Sequence, residues 1–496
     1  MSQADDVYDE FLEHVRQYHY VGDAAGLLHW DQQVVMPDEG IGARSKQNSA
    51  ISTIHHDMLV DDDVADWLDD LEGRDLDDDR SAVVREVRRE HDRARQVPRD
   101  LVDRISRTTS EALPVWEGAK AEGDFAAFED ELAEIVSLRR EYAEEIDPDR
   151  DPYEVLFEDY EPYLPLETAE RVLERLADEL PSMIDAIADS DVDLATPFDG
   201  TYPEADQEAM VRSALDAVGY DWDRGRLDPA PHPFSMGTPF DARVTTRYDE
   251  SDPLNKALTS TIHEFGHASY TLGLPEEHYG TPLGDSRDLT VHESQSRFWE
   301  NHVGRSRAFW EFFAPQIDEH LGVDVSPRRL YEAANRVYED NLIRVEADEL
   351  TYHLHIVLRF EIERDLIRGD LDVSEVPQVW NDKMEAYLGV RPDDDGVGCL
   401  QDIHWAQGSV GYFPTYSLGS MLGAQLAASL EDDLDRADLV SQGEFGPILD
   451  WHREHVHRHG SRYTTPDLIE KATGEELTAD YYLDYAEAKF GDLYNL

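Results

Sequence analysis

Apolar positions recur at three- and four-residue intervals along most of the chain. They are Leu132, Ile135, Val136 and Leu138 in the stretch 125–145, then Val172, Leu173, Leu176 and Leu180, then the run Leu350, Tyr352, Leu354, Ile356 and Phe360. Spacing near 3.6 residues lays such positions along one stripe of a helix, so the chain is expected to be mainly α. Turn signals punctuate it at Asp147-Pro148, Asp151-Pro152, Asp252-Pro253 and Arg391-Pro392. One segment reads differently: Ala242 to Tyr248 clusters β-branched residues and predicts a short strand. No repeat of fixed period argues for a solenoid, and no Gly/Ser- or Pro-rich linker divides the chain. A single domain over residues 1–496 is the expectation.

Within the helical pattern, Asn255 to Leu272 carries apolar Leu258, Ile262, Phe265 and Ala268 at helical spacing and holds the pentapeptide His263-Glu264-Phe265-Gly266-His267. Histidines at i and i+4 share one helix face, where both imidazoles reach a single Zn²⁺. The intervening Glu264 projects beside the metal, placed to take a proton from a metal-activated water. A third ligand has to come from elsewhere. Thirty residues on from His263, the segment Thr290 to Arg297 supplies Glu293, expected on a following helix; His292 competes, while the carboxylate keeps the ligand type and a hydrogen-bonding neighbour such as Ser294 or Gln295 could orient it. His452, His455, His457 and His459 form a second histidine-rich stretch, but their spacing mixes helical and alternating periods and argues against a second metal.

Charge narrows the partners. The 496 residues contain 110 Asp or Glu against 44 Lys or Arg, a formal net charge of −66. Nucleic acids and anionic membrane surfaces are bound through clustered cations, so neither is an expected partner. With 40% hydrophobic residues the chain still has material for a large core, which makes the acidity a surface property. Only six of the cations are Lys, and acids recur in runs such as Asp61–Asp63, Asp77–Asp79 and Asp393–Asp395. This composition suits a cytosol at very high salt, where a Debye length of about 3 Å screens the self-repulsion. The lone Cys399 excludes an internal disulfide and a Cys-rich metal site. No basic start leads into an apolar stretch and no window approaches a membrane span, so a cytoplasmic location is expected.

Further motifs stand in order along the chain: His29-Trp30-Asp31-Gln32, His232-Pro233-Phe234, Asp241-Ala242-Arg243-Val244-Thr245, the HEFGH and HESQ segments at 263–267 and 292–295, Ile343-Arg344-Val345-Glu346-Ala347-Asp348, Gly398-Cys399-Leu400-Gln401-Asp402-Ile403-His404-Trp405, and Gly411-Tyr412-Phe413-Pro414-Thr415-Tyr416. In these residues the chain resembles the carboxypeptidase Taq family of zinc metallopeptidases over nearly its whole length. The resemblance implies a large helical fold of gluzincin type, two helical lobes flanking a deep central groove, with a small β-sheet next to the HExxH helix. It implies a homodimer that releases single residues from the C-terminus of peptides with broad specificity. His263, His267 and Glu293 match the metal ligands and Glu264 the general base.

An exopeptidase needs a fixed cation for the terminal carboxylate, and a guanidinium suits it. Arg344 is favoured, with Arg243 as second candidate or as a groove-blocking residue. His232 is expected to line the groove, Gln401 to contact substrate, and the 242–248 strand to hold substrate backbone by strand addition. His404 or Tyr412, with Tyr416 beside it, would donate to the developing oxyanion, and Asp402 would orient a neighbour. One divalent metal per chain is expected, Zn²⁺ by default, with Co²⁺ or Mn²⁺ able to take the same geometry. The alternative is an oligopeptidase that cuts internal bonds with the same site.

Overall fold

The computed structural model describes residues 3–338 and 341–496. The chain opens with four helices, Gln3–Val34, Ile41–Leu59, Asp62–Glu72 and Asp78–Gln96. Two of the acid runs prove to be helix starts: Asp61 accepts from the Asp63 N–H and Asp77 from the Arg80 N–H, satisfying donors that have no partner within their helices. Acids in a first turn also meet the positive end of the helix dipole. These helices bury Phe11, Val15, Val64, Leu68, Val83 and Val87 in a cluster of their own, which also takes in Leu283 from the middle of the chain. A second, much larger core runs from Val97 to Tyr494. The two are joined by polar clamps: Arg287 donates to both oxygens of Glu86 at 2.9 and 2.8 Å with both side chains buried, and Arg85 reaches the Ser461 carbonyl at 2.9 Å.

The predicted helices are present as Glu129–Ile146, Leu166–Ala188 and Thr351–Arg368. Asp151-Pro152 starts a helix as its turn signal implies, with Asp151 capping the Tyr153 N–H and proline at the first helical position. The strand forms over Asp241–Thr246 and stops short of Tyr248. It is the middle one of three: β1 (Leu227–Pro229), β2 (Ser235–Thr238) and β3 (Asp241–Thr246) lie in the order β1-β3-β2. β1 runs parallel to β3 and pairs with its second half; β2 is antiparallel and pairs with its first. Strand addition needs an unpaired edge, and both edges of β3 are taken, so that expectation for 242–248 is corrected. The hydroxyls of Thr261 and Thr246 are in hydrogen-bond contact at 2.8 Å, which fastens β3 directly to the helix bearing His263.

That helix departs from its sequence expectation at its start. Pro253–Thr259 winds as a π-helical turn and passes into the α-helix Ser260–Gly273. Hydroxyls of Thr259 and Thr261 reach back to the carbonyls of Asn255 and Ala257 at 3.0 and 2.6 Å, competing with the regular ladder. A second π-helical segment, Phe298–Gly304, follows the helix Leu289–Arg297. Both wide turns flank the helices that carry the metal-type cluster, where such irregularities concentrate in proteins.

Candidate active site

The helices Ser260–Gly273 and Leu289–Arg297 approach each other closely because Gly266, inside the HEFGH sequence, has no side chain. A Cβ there would lie 2.5 Å from the Gln295 carbonyl oxygen and from Ser296 Cα. A third helix, Pro414–Glu431, closes over the other side of Glu293 through Gly419, where a Cβ would sit 2.5 Å from both Cβ and Cγ of Glu293. Asp288 caps the Glu293 helix, accepting from the Val291 N–H at 2.9 Å. Two glycines and one cap thus fix the position of one carboxylate.

His263, His267 and Glu293 each place one ligand atom within 4.8 Å of the others'. Glu293 Oε2 is 3.7 Å from His263 Nε2 and 3.4 Å from His267 Nε2. The opposite ring nitrogens are held from behind. His263 Nδ1 meets Glu300 Oε2 at 2.9 Å and His267 Nδ1 meets His292 Nδ1 at 2.6 Å. Burial, helped by the neighbouring His267, pulls His292 down to about 3, so its ring is neutral and accepts the His267 N–H. Both ligand histidines then present Nε2 lone pairs inward, the arrangement a tetrahedral His₂Glu site requires. The donor set fits a divalent metal, and His292 stands behind one of its two histidines.

Glu293 is steered as well. Arg297 Nε donates to its Oε1 at 2.6 Å, leaving Oε2 facing the histidines, and the Ser296 hydroxyl, shared with the Glu293 carbonyl at 2.7 Å, lies 3.1 Å from Oε2. Arg297 also reaches Glu300 at 3.1 Å, and Arg305 holds the other Glu300 oxygen at 3.1 to 3.2 Å. Burial alone would raise both carboxyls, but Arg297 with the histidines outweighs it and keeps Glu293 and Glu300 far below the usual carboxylate range. Glu264, 6% exposed, accepts no hydrogen bond from any described residue. Burial raises its carboxyl against the pull of His263 and His267.

The remaining sequence candidates fall into two groups. Arg344 is buried and gives Nε and one NH₂ to Asp402 Oδ1 at 3.1 and 2.8 Å and the other NH₂ to the Tyr352 hydroxyl at 3.1 Å. It lies over the rings of Tyr416 and Phe413. A guanidinium has five N–H groups, so two remain for a ligand. Tyr352 also faces Arg297, whose guanidinium lies 4.9 Å from its ring centre, which links Arg344 to the Glu293 clamp. His404 packs at a tilt against Phe413 and near Tyr412, and burial takes it down to about 4, leaving it neutral. Tyr412 packs 5.2 Å from Tyr416, and burial raises its hydroxyl. Gln401 is fully engaged inside the protein: its oxygen accepts from the Arg344 N–H and from Arg359, its nitrogen donates to the carbonyls of Leu342, Val397 and Gly398. It sets the Arg344 backbone and has no free group to offer.

Arg243 and His232 belong to a separate group of residues. Arg243 is tied to Asp241 through Nε and one NH₂ and lies 5.5 Å from the Trp30 ring. Trp30 in turn packs on Phe234, so the HWDQ, HPF and DxRxT segments meet there, with His232 exposed at the edge. The histidine-rich stretch has another use. His452 Nδ1 and His457 Nε2 donate to the same Gln295 Oε1 at 2.8 and 2.9 Å. Sequence reasoning missed Arg297 and Glu300, although Glu293, Arg297 and Glu300 stand at i, i+4 and i+7, the spacing of one helix face.

The whole arrangement has known relatives. The sequence profile described as "Carboxypeptidase Taq (M32) metallopeptidase" matches residues 10–490. A protein named thermostable carboxypeptidase 1 from Thermus thermophilus is 40% identical over 506 residues, covering 98% of this chain and 99% of its own. A solved carboxypeptidase structure from Pyrococcus furiosus superposes with a TM-score of 0.95 at 36% identity over 99% of each chain. An M32 carboxypeptidase structure from Deinococcus radiodurans gives 0.96 at 33% identity, covering 99% of this chain and 100% of that one. With the profile matched almost end to end and the metal-type cluster in place, the chain belongs to the carboxypeptidase Taq family of metallopeptidases.

Proposed function

We propose that the protein is a metal-dependent carboxypeptidase that hydrolyses the last peptide bond of peptides and releases single amino acids with broad specificity. The observation that carries this is the juxtaposition of the His263, His267 and Glu293 cluster with an unengaged Glu264 carboxylate. Zn²⁺ is the default occupant of such a donor set, and Co²⁺ or Mn²⁺ fit it too. A bound divalent ion supplies Lewis acidity toward the scissile carbonyl and acidifies water. Glu264 takes the proton from the attacking water on its carboxylate and passes it to the leaving amine. Tyr412 and neutral His404 donate toward the oxygen that gains charge. The two remaining N–H groups of Arg344 hold the substrate's terminal carboxylate, with Asp402 keeping the guanidinium in place and Gln401 the Arg344 backbone; Arg243 and His232 edge the cleft on the Trp30 side.

The assignment of Arg344 has a direct test. Arg344→Met should lower kcat/KM on free-acid peptides at least about a hundred-fold, the scale of a lost buried charge-assisted hydrogen bond pair, and leave the slow cleavage of amidated peptides unchanged. Equal loss on both substrates removes Arg344 from this role.

We further read the chain as one catalytic domain, a gluzincin-type homodimer acting in a salt-rich cytosol. The clamps between the two apolar cores support the first point and the charge of −66 supports the last. Transfer from molar salt to dilute buffer should lower the melting temperature as screening is lost; an unchanged melting curve contradicts the salt adaptation.

A further inference from the structure

The segment Asp402–Phe413 carries both His404 and Tyr412, yet it is built of turns, with no helix or strand ladder to fix it. Its two halves are tied by one side chain from elsewhere. Glu363, 1% exposed in the middle of the helix Thr351–Arg368, accepts the Trp405 indole N–H on Oε1 at 2.9 Å. Its Oε2 accepts the Gly411 backbone N–H at 3.1 Å and the Tyr153 hydroxyl at 3.3 Å. Trp405 directly follows His404, and Gly411 directly precedes Tyr412. Gly411 sits at φ 91°, in the left-handed region, with the backbone of Leu156 and Phe157 only 3.0 Å from where a Cβ would be. The backbone there is pressed between a helix and the carboxylate.

We propose that Glu363 is a positioning residue: by gripping Trp405 with one oxygen and Gly411 with the other, it sets the spacing of His404 and Tyr412 beside the metal centre. This rests on the roles assigned to those two residues in the proposed function. Glu363 touches neither substrate nor ligand histidines and acts only through the loop.

The carboxyl also titrates in a useful range. Burial pushes it up to about 7, against the Gly411, Trp405 and Tyr153 donors and the charge of Arg359. The charged and titratable groups around it are Arg359 and Arg364 on its own helix, Tyr153 on the neighbouring helix Pro152–Phe157, and Tyr160 beyond that. Arg359 is bound to Asp402, and burial raises both tyrosines, so Glu363 is the member of this group that changes charge near neutrality. Ionised, it accepts three hydrogen bonds. Protonated, its own O–H needs an acceptor, which the Tyr153 hydroxyl can turn to provide, and the hold on Gly411 slackens. The linkage runs the other way for stability. A carboxyl raised above its unfolded value of about 4.3 contributes stability that is full below that value and is lost as pH rises through about 7. Loop grip and fold stability therefore change in opposite directions across the same window.

The test compares Glu363→Gln, which carries no charge at any pH, with Trp405→Phe, which removes the indole N–H together with part of a ring packed on Trp380. Glu363→Gln should lower kcat by about ten- to a hundred-fold, the scale of a small misplacement, with KM within about two-fold and metal content unchanged. The component of the kcat–pH profile near 7 should vanish. Trp405→Phe should lose less, and the double variant little more than Glu363→Gln alone. Variants that melt earlier yet keep wild-type kcat and pH profile overturn the proposal. Hydrogen exchange at the Gly411 amide reads the grip without any activity: corrected for intrinsic rate, protection should rise through pH 7 in the parent and stay flat in Glu363→Gln. The same flat response in both proteins also overturns it, whatever reaction the enzyme performs.

Discussion

The two histidine-rich regions use the same side chain for opposite ends. In 263–267 the rings are backed by Glu300 and His292 and face a carboxylate, Glu293, that Arg297 keeps ionised. In 452–459 two rings turn their N–H groups on one neutral amide oxygen, that of Gln295. Their far nitrogens, His452 Nε2 and His457 Nδ1, are buried without a hydrogen-bond partner among the described residues, and burial takes His452 down to about 3, leaving a neutral, closed arrangement. What makes a histidine pair a metal site is the charge it faces and the carboxylate behind it; spacing alone decides neither. The two regions are also mechanically related, since Gln295 lies two residues from Glu293 on the same helix.

The largest effect that should separate them is at Glu264. Glu264→Gln should reduce kcat by about 10²- to 10⁴-fold while metal content, measured by elemental analysis, stays at the parent's level; near-parental turnover in the metal-replete variant removes Glu264 as the base. Next comes the carboxylate behind His263. Glu300→Gln should weaken metal affinity about 10- to 100-fold in competition with a chelator, because the ring loses its charged acceptor. Parental affinity would mean that Arg297 alone organises the cluster. The smallest effect belongs to the other region: His452→Phe should leave metal stoichiometry untouched and cost about 1 kcal/mol in denaturant unfolding, since Gln295 keeps His457. A loss of bound metal in that variant would erase the distinction between the two regions.

The parts of the site that a sequence reader can find are those encoded within one helical turn. HEFGH places two histidines on one face by i, i+4 spacing with a glutamate between them, and Glu293 follows as the carboxylate on the next helix. The strand at 241–246 is legible because β-branched residues cluster there, whereas β1 and β2, of three and four residues with Pro229 and Gly237 among them, have too little pattern to show. The π-helical turns depend on hydroxyl back-bonding and on packing, which no apolar period records. Glu363 is the hardest case. In a chain with 110 acids nothing local marks one that is buried, and its partners Trp405 and Gly411 are more than 40 residues away. Gln401 shows the same limit from the other side, since its motif predicts contact with substrate and its amide proves to be fully used in holding the Arg344 backbone.

The central claim, a metal-dependent exopeptidase acting at the C-terminus, is tested most directly by product analysis. An N-terminally blocked peptide would be offered with a free and with an amidated C-terminus, in molar salt, with and without a chelator, and the products read by mass spectrometry. The account predicts stepwise loss of single C-terminal residues from the free acid, with the amide cut only slowly, and both abolished by the chelator. Internal cleavage of both peptides would contradict it and make the enzyme an oligopeptidase on the same histidine and glutamate cluster.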